Sequence, residues 1–242
     1  MKYLLFICAD GRPAPDQLAV MQRECPGWVE EMDGRGVRLL GRELDLPETA
    51  STVRVRDGET LVTDGPFAET KEFVAGFDVL ECADLDEAIE VASRHPSSWF
   101  QTIEIRPFMD GLELGEKAER FARGEESGGG APYCMMICLD GIPAAPEVEE
   151  AVRRDSRAWG HDLEARGLMV LGHPLQHKDT ATTVRVRDDE ALISDGPFTE
   201  TKEFIAGIDV ISCADRQQAI DLAAAHPIAR YHAIEVRPFY IP

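Results

Sequence analysis

Several classes of function are disfavoured by what the sequence has little of. Its 242 residues include only 25 lysines and arginines against 45 aspartates and glutamates, a formal net charge of −20 at pH 7. Binding to a nucleic-acid backbone requires clustered Lys and Arg, so we expect no nucleic-acid partner. The acidic residues are spread along the chain, which is typical of a solvated surface rather than of an acidic tail.

Long apolar runs and catalytic motifs are also missing. No apolar run approaches the roughly 20 residues that span a bilayer, and the apolar start at residues 1–9 recurs internally at residues 133–139, so it is predicted to be a first strand rather than a signal peptide. The six cysteines contain no CxxC pair and are predicted to be reduced thiols of a cytoplasmic protein. P-loop, GxGxxG, GxSxG and HExxH motifs are absent, and the histidines have no consistent ligand spacing. We therefore expect no cofactor, no metal and no membrane contact.

What the chain does contain is an internal duplication. The segment DGPFAETKEF at residues 64–73 recurs with one change as DGPFTETKEF at residues 195–204. Superposing these segments aligns residues 28–108 with residues 159–239 without a gap, with about half of the positions identical. We predict two domains, a first copy over 1–110 and a second copy over 132–242. The linker over 111–131 includes a flexible Gly-rich tether.

Each copy reads as β-α-β, a hairpin, and β-α-β. In the first copy the hairpin covers residues 52–62 around Asp57-Gly58, and Asp84 caps the second helix. Cys25-Pro26-Gly27 is predicted to kink or split the first helix, whereas the second copy reads as an unbroken helix over 148–166. Two helices against one antiparallel sheet is the ferredoxin-like plan of an α+β protein, in which the helices cover only one face of the sheet.

The duplicated segment and its flanks also carry a family resemblance. TVRVRD at 52–57, DGPFAETKEF at 64–73, AGFDV at 75–79, the His-Pro at 95–96 and IEIRPF at 103–108 resemble the DGPF branch of the YCII-related family. The resemblance covers nearly all of both copies. It implies that two ferredoxin-like sheets pack face to face as a dimeric α+β barrel, here an intramolecular pseudo-dimer whose helix-free faces enclose a cleft. Most of this branch has no assigned reaction, so the resemblance implies a fold and no particular activity.

Charged residues on the strands are the candidates for ligand binding. Arg54 and Arg106 alternate onto the polar side of their strands. Asp78 lies in an apolar strand, where a carboxylate is costly unless it is solvated or paired. It either faces water on an edge strand or is balanced by Arg54 or Arg106 in the cleft. With their counterparts in the second copy and the charged residues of the duplicated segment, the candidate ligand-binding residues are Asp78, Asp209, Arg54, Arg185, Arg106, Arg237, Asp64, Asp195, Lys71 and Lys202.

The duplicated segment itself allows two interpretations. Asp-Gly before Pro is turn chemistry, and Asp64 and Asp195 are expected to cap that turn. The segment is then a structural corner that delivers Phe67 into a core. Alternatively, its polar residues line a binding site or a contact between the two copies.

His95 and His226 are the only histidines common to both copies, and each precedes a proline at the end of the second helix. Such a histidine can complement the helix dipole and stop the helix. The resemblance implies an alternative, because typical family members carry a His early in the first helix and an Asp before this Pro, proposed as an acid–base pair. Here the types are exchanged, with Glu24 or Asp155 in the first helix. If chemistry exists, we expect it mainly at Asp155 and His226 within hydrogen-bond reach, since the first helix of the first copy is interrupted.

Two functions follow from these observations. The first is a non-catalytic small-ligand-binding or protein-interaction module of the YCII-related type, with a regulatory role. The alternative is a lyase or isomerase that uses a carboxylate/His pair in the cleft between the copies, on an anionic or aromatic substrate held by the arginines. We favour the module, because exchanged and interrupted catalytic positions are more easily tolerated when no chemistry depends on them.

Overall fold

The computed structural model describes residues 1–67, 72–125, 130–141, 145–198 and 203–241. Within these ranges the chain is an α+β protein of twelve β-strands and five α-helices. The strands are β1 Lys2–Ala9, β2 Arg38–Glu43, β3 Ser51–Arg56, β4 Glu59–Asp64, β5 Phe73–Glu81, β6 Thr102–Pro107, β7 Ala131–Leu139, β8 Met169–Pro174, β9 Thr182–Arg187, β10 Glu190–Asp195, β11 Phe204–Cys213 and β12 Ala233–Pro238. The helices are α1 Pro15–Gly34, α2 Leu85–Arg94, α3 Glu116–Ala122, α4 Pro146–Ala165 and α5 Arg216–Ala225.

The strands form two six-stranded antiparallel sheets, one in each of two compact units. Unit 1 consists of Met1–Glu43, Thr70–Leu112 and Leu175–Glu200, and its strand order is β10-β9-β6-β1-β5-β2. Unit 2 consists of Leu44–Glu69, Glu113–Pro174 and Thr201–Pro242, with the order β4-β3-β12-β7-β11-β8. In each sheet the four strands from one copy follow the ferredoxin-like order of fourth, first, third and second, as predicted.

The two copies exchange their hairpins. The hairpin of the second copy, β9 and β10, joins the sheet of unit 1 through Ile103 of β6 opposite Val184 of β9. The hairpin of the first copy, β3 and β4, joins unit 2 through Ile234 of β12 opposite Val53 of β3. The sequence predicted that each copy contains a hairpin, and the pairing shows which sheet each hairpin joins. Exchange of equivalent elements is a low-cost form of association because the contacts of each exchanged element replace those that it would make in its own copy.

The hairpin turns themselves are as predicted in the first copy and less obvious in the second. Asp57 and Gly58 both have positive φ angles of 53° and 81°, the conformation of a two-residue hairpin turn. Asp188 and Asp189 adopt the same conformation, with φ angles of 51° and 64°, although neither is glycine. The second hairpin therefore keeps the tight turn at some cost in backbone strain.

In unit 1 the helices pack on one face of the sheet. The core there includes Leu5 of β1, Leu80 of β5 and Ile105 of β6, which contact Trp28 of α1 and Val91 of α2. Because side chains alternate along a strand, Glu104 and Arg106 of β6 lie on the opposite face. Unit 2 has an equivalent core between its sheet and α4 and α5.

The first helix is continuous, so the predicted split at Cys25-Pro26-Gly27 is wrong. α1 runs from Pro15 to Gly34 with Pro26 inside it. Pro26 removes one helical hydrogen bond, whose acceptor is the carbonyl of Gln22. Gln22 and Pro26 are both exposed, so water can bond that carbonyl, while Trp28 and Met32 hold the helix on the sheet. None of the helices in the described ranges has the length and apolarity needed to cross a membrane.

Candidate functional site

The first buried polar cluster lies in unit 1 around Asp78. Asp78 is opposite Leu5 in the pairing of β5 with β1, so its side chain points to the face that the helices cover. The residue is only 6% exposed. Nε of Arg38 donates to Oδ1 of Asp78 at 2.6 Å, and Nε2 of His95 lies 3.7 Å from Oδ2. We call these three residues the Arg38–Asp78–His95 cluster.

The charge partner of Asp78 is Arg38, and not Arg54 or Arg106 as predicted from the sequence. β5 lies between β1 and β2 in the sheet, so Asp78 is not on an edge strand. Arg106 lies on the other face of the sheet and Arg54 belongs to unit 2, so neither is its partner. Two further N–H groups of Arg38 donate to Asp33 at 3.0 Å and to the carbonyl of Gly41 at 2.9 Å, which fixes the guanidinium beside Asp78.

A glycine makes room for the carboxylate. A Cβ atom added to Gly41 of β2 would collide with Oδ1 of Asp78, and a Cβ on Gly172 of β8 would lie 2.5 Å from Oδ1 of Asp209. Any larger residue would displace the acid from its place between the strands. Both copies have glycine at this position, where the acid crosses the neighbouring strand.

His95 serves as the cap of a short helix. It precedes the 3₁₀ helix Pro96–Trp99, and its Nδ1 accepts a hydrogen bond from the backbone N–H of Ser97 at 3.0 Å. The ring packs edge-on against Trp28, with the ring centroids 4.3 Å apart. Burial lowers the pKa of His95, Asp78 raises it and Arg38 lowers it further, so the ring is neutral near pH 7. The tautomer that fits these contacts carries its proton on Nε2, toward Asp78.

In unit 2 the position equivalent to Arg38 is occupied by a methionine. Met169 stands where Arg38 stands in the first copy, and Asp209 forms no ion pair with any residue that the structure describes. Burial raises the pKa of Asp209 to about 7. His226 keeps the capping role, since its Nδ1 accepts from the N–H of Ile228 at 3.1 Å and its ring lies 4.5 Å from Trp159. Burial lowers the pKa of His226 to about 4.

The acids predicted in the first helices do not pair with the histidines. The carboxylate of Glu24 accepts from Nε of Arg23 at 2.7 Å, and the carboxylate of Asp155 accepts from Nε of Arg154 at 2.9 Å. In the described part of the chain, no hydrogen bond or ion pair joins Asp155 to His226. α4 presents Asp155 to solvent, whereas the hydrogen bond from Ile228 turns His226 inward. The predicted contact between Asp155 and His226 is therefore not formed.

A second cluster surrounds the turn of the duplicated segment. The backbone N–H of Phe198 donates to Oε2 of Glu104 at 2.9 Å, and the N–H of Phe67 donates to Oε2 of Glu235 at 3.0 Å. The other oxygen of Glu104 accepts from Arg106 at 3.2 Å, and Glu235 likewise accepts from Arg237. Each hairpin is thus anchored by a buried carboxylate on the last strand of the other copy. We call each arrangement a carboxylate clamp.

The hairpin arginines cover the phenylalanines of the same turn. The guanidinium of Arg54 lies 5.1 Å from the ring centroid of Phe67, and that of Arg185 lies 5.3 Å from Phe198. These distances are within the range of cation–π attraction. Arg185 also donates to the hydroxyl of Thr102. The hydrogen bonds of Phe67 and Phe198 make the start of the segment a contact between the two copies, and both rings are half-buried rather than part of a core. Lys71 and Lys202 lie outside the described residues.

The aspartates of the segment do not close its turn. The backbone N–H of Gly65 bonds the carbonyl of Ala50 at 2.9 Å, and Gly65 has a φ of 100°, which favours glycine. Asp64 is exposed and forms an ion pair with Arg216 at 2.7 Å. Asp195 is exposed at the end of β10.

Three contributors to these sites were missed in the sequence. Arg38 could have been noticed because the second copy has Met169 at its position, but assigning it to Asp78 required the register of β2 on β5. Glu104 lies on the polar side of its strand, but its bond to Phe198 depends on the exchange of the hairpins. Arg187 was likewise unassigned, although it donates to the carbonyl of Trp99 at 2.7 Å and so fixes the exchanged hairpin.

Comparison with known proteins agrees with this architecture. The sequence profile of the YCII-related domain matches residues 1–110 and again 133–240. The chain belongs to the YCII-related family. A curated relative, an uncharacterised protein of Rhizobium meliloti (strain 1021), is 48% identical over 67 residues, which are 26% of this chain and 52% of the relative. The YCII-related chain thus spans about half the length of that relative.

A solved structure also resembles the chain as a whole. It is the crystal structure of a proposed chlorite dismutase, with a TM-score of 0.41 and 6% sequence identity, and the match covers 99% of this chain and 94% of the other. The similarity is too weak for us to transfer any property from it.

Proposed function

We propose that this YCII-related chain is a non-catalytic binding module. The proposal rests on the hydrogen bonds of His95 and His226. The Nδ1 atom of each ring accepts a hydrogen bond from a backbone N–H of the protein. Both rings are also buried against tryptophans. They are the only histidines that the two copies share.

The geometry of a catalytic dyad explains why this matters. In such a dyad a carboxylate orients one nitrogen of the imidazole, and the other nitrogen exchanges a proton with the substrate. Asp78 occupies the orienting side of His95. The other side is taken by Ser97, so a substrate would have to break the cap before it reached the lone pair. This arrangement supports a structural role for the histidine.

The charges of the two clusters support the same proposal. Arg38 is balanced by Asp78, and Arg106 is balanced by Glu104. A substrate anion would compete with a buried carboxylate for either guanidinium. A shallow pocket lined by Cys8, Thr102, Arg185, Phe198 and their neighbours has space for about one water molecule, roughly 10 Å³. Because Arg38 and Arg106 already have carboxylate partners, we infer that binding uses exposed surfaces of the units.

The proposal can be tested by looking for binding and turnover in the same sample. The full chain is incubated with mixtures of small carboxylates, phosphates and aromatic metabolites, and proton NMR follows both ligand contacts and consumption over time. We expect no consumption by the wild-type chain. The variants His95→Asn and His226→Asn, whose amide oxygen can still accept the capping bond, should be indistinguishable from it. Consumption that either substitution abolishes would establish an enzyme.

A second candidate function, acid–base chemistry in unit 2, is favoured by one observation. Asp209 is buried without a cationic partner among the described residues, and its pKa of about 7 suits a general acid or base near neutral pH. In this case Asp209, rather than Asp155, supplies the carboxyl group of the lyase or isomerase hypothesis. Consumption of a compound that is lost in Asp209→Asn but retained in Asp78→Asn would select this function over the binding module.

A further inference from the structure

Strand β10 forms an open edge of the sheet in unit 1. It pairs with β9 on one side, and on the other side no described strand pairs with it. All six of its residues, Glu190–Asp195, are exposed. Leu192 and Ile193 are each 52% exposed, although their size and apolarity would suit a core.

The protection of this edge against pairing is limited to the acids at its two ends, Glu190 and Asp195. Natural sheets block open edges with proline, lysine, bulges or very short strands. The sequence Glu-Ala-Leu-Ile-Ser-Asp contains neither proline nor lysine, and its register with β9 runs without a bulge from Glu190 to Asp195. The outer N–H and C=O groups of β10 are therefore available for the addition of another strand.

The charges at this edge indicate what kind of strand fits. Four exposed acids surround the apolar pair and form no ion pair with the described residues: Asp188, Asp189, Glu190 and Asp195. If β10 of a second copy paired antiparallel about Leu192 and Ile193, Glu190 would face Asp195 of that copy. Like charges directly opposite each other destabilise a strand pair, and each chain already carries a net charge of −20.

We propose that β10 binds an extended segment of a partner protein that carries two adjacent apolar residues flanked by Lys or Arg. The segment adds a seventh strand to the sheet of unit 1. Its basic residues face Glu190 and Asp195, and its apolar pair contacts Leu192 on one face of the strand and Ile193 on the other. The inference rests on the proposed function and names the partner class of the binding module.

The equivalent strand β4 of unit 2 provides a matched comparison. It is also an exposed edge, with Leu61 and Val62 at 48% and 45% exposure. Its acidic charge is weaker, because Asp64 is paired with Arg216 and the hairpin turn has Gly58 where β10 has Asp189. A basic segment should therefore prefer β10 to β4.

The test uses the full chain and a labelled peptide with the core Lys-Thr-Val-Ile-Thr-Lys, measured by fluorescence anisotropy. We expect saturable binding that weakens with added salt and that Leu192→Lys reduces by about tenfold or more, since it adds a like charge and removes an apolar contact. The matched variant Leu61→Lys should change the affinity by less than about twofold. A peptide with Glu in place of both Lys should bind at least about tenfold more weakly than the basic one.

A backbone control separates strand addition from simple charge attraction. The basic peptide with alternate backbone N–H groups methylated keeps its charge but cannot form the ladder, and its binding should be lost. Undiminished binding of the methylated peptide, or equal weakening by Leu192→Lys and Leu61→Lys, would overturn the proposal. So would concentration-dependent dimerisation of the wild-type chain that Leu192→Lys abolishes, because the occupant would then be a second copy. Catalytic turnover would refute the proposed function and leave these peptide results unchanged.

Discussion

The two copies place the same carboxylate in the same buried position and give it opposite surroundings. In unit 1, Asp78 accepts from Arg38, and His95 lies beside it. In unit 2, Met169 replaces the arginine, and burial raises the pKa of Asp209 to about 7. The glycine that accommodates the acid is retained in both copies as Gly41 and Gly172.

This difference shows that a duplicated backbone can keep a buried acid after its charge partner has gone. The lone acid can lower its energetic cost by holding a proton, because a neutral carboxyl group is far cheaper to bury than a carboxylate. The paired acid must stay with its arginine, because removing either partner leaves a buried charge. The same residue type therefore contributes to stability with opposite signs in the two units.

The largest effect is expected from the exchange of hairpins between the two copies, and it concerns whether the halves separate after cleavage. Replacing residues 126–129 by a protease site and cutting there should leave both halves in one particle of about the full mass of 26.8 kDa, because each sheet contains strands of both halves. Size-exclusion chromatography with light scattering measures this mass. Two separate particles of half the mass would show that each hairpin stays with its own copy.

Replacing each buried acid by asparagine should change the free energy of unfolding in opposite directions in the two units. Asp78→Asn leaves Arg38 without its buried partner and should lower the free energy of unfolding by about 3 kcal/mol. Asp209 has a folded pKa of about 7 against an ordinary 3.8, so its contribution to stability is lost as pH rises through 7. Asp209→Asn should therefore raise the free energy of unfolding above pH 7 by on the order of 4 kcal/mol, and by nearly nothing near pH 4.

Urea denaturation at several pH values checks both signs. Single-tryptophan backgrounds that retain Trp28 or Trp159 report on unit 1 or unit 2 separately. A destabilising effect of Asp209→Asn above pH 7 would mean that Asp209 has a charge partner and that the contrast between the units is wrong.

The carboxylate clamps should behave alike in the two units, in contrast to the buried acids. Glu104→Gln and Glu235→Gln each weaken the pairing with the neighbouring arginine and should each cost about 1 to 3 kcal/mol. Thermal unfolding of both variants measures the cost. A difference of more than about 2 kcal/mol between them would show that the hairpins are not held equivalently.

The hairpin turns should give the smallest difference. Asp189→Gly restores the residue that the first copy has at Gly58, where the backbone has a positive φ, and should stabilise the chain by about 0.5 to 1 kcal/mol. The reverse change, Gly58→Asp, should destabilise it by a similar amount. Chemical denaturation of the two variants tests this pair, and stabilisation by Gly58→Asp would contradict the turn geometry.

Local chemistry made much of the fold predictable. The Asp-Gly turn predicted the first hairpin, Asp84 caps α2 by accepting from the N–H of Glu87 at 3.0 Å, and the four strands and two helices of each copy follow the expected ferredoxin-like order. The family was also predicted, on motifs that recur in both copies. The break at Pro26 was not formed, because tertiary packing of Trp28 and Met32 outweighed the local preference of proline.

The candidate sites were predicted only in part, because they depend on register between distant strands. Asp78 and His95 were candidate residues from the sequence alone. Arg38 lies beside Asp78 because β2 pairs with β5, and His95 is placed there by the 3₁₀ helix that it caps. Conversely, Glu24 and Asp155 were suggested by family positions alone and lie beside exposed arginines.

By itself the sequence determined the duplication, the elements of each copy, the capped helices and the presence of an acid in an apolar strand, because each of these is encoded by residues close together in the chain. Only the tertiary structure decided which sheet each hairpin joins. The hairpins TVRVRDGETLV and TVRVRDDEALI are so similar that either hairpin could pair with either sheet in nearly the same way. Leu44 bridges to Phe239 and Leu175 bridges to Phe108, so the segment that leads into each hairpin already contacts the other copy. Long-range pairing of this kind leaves no local pattern.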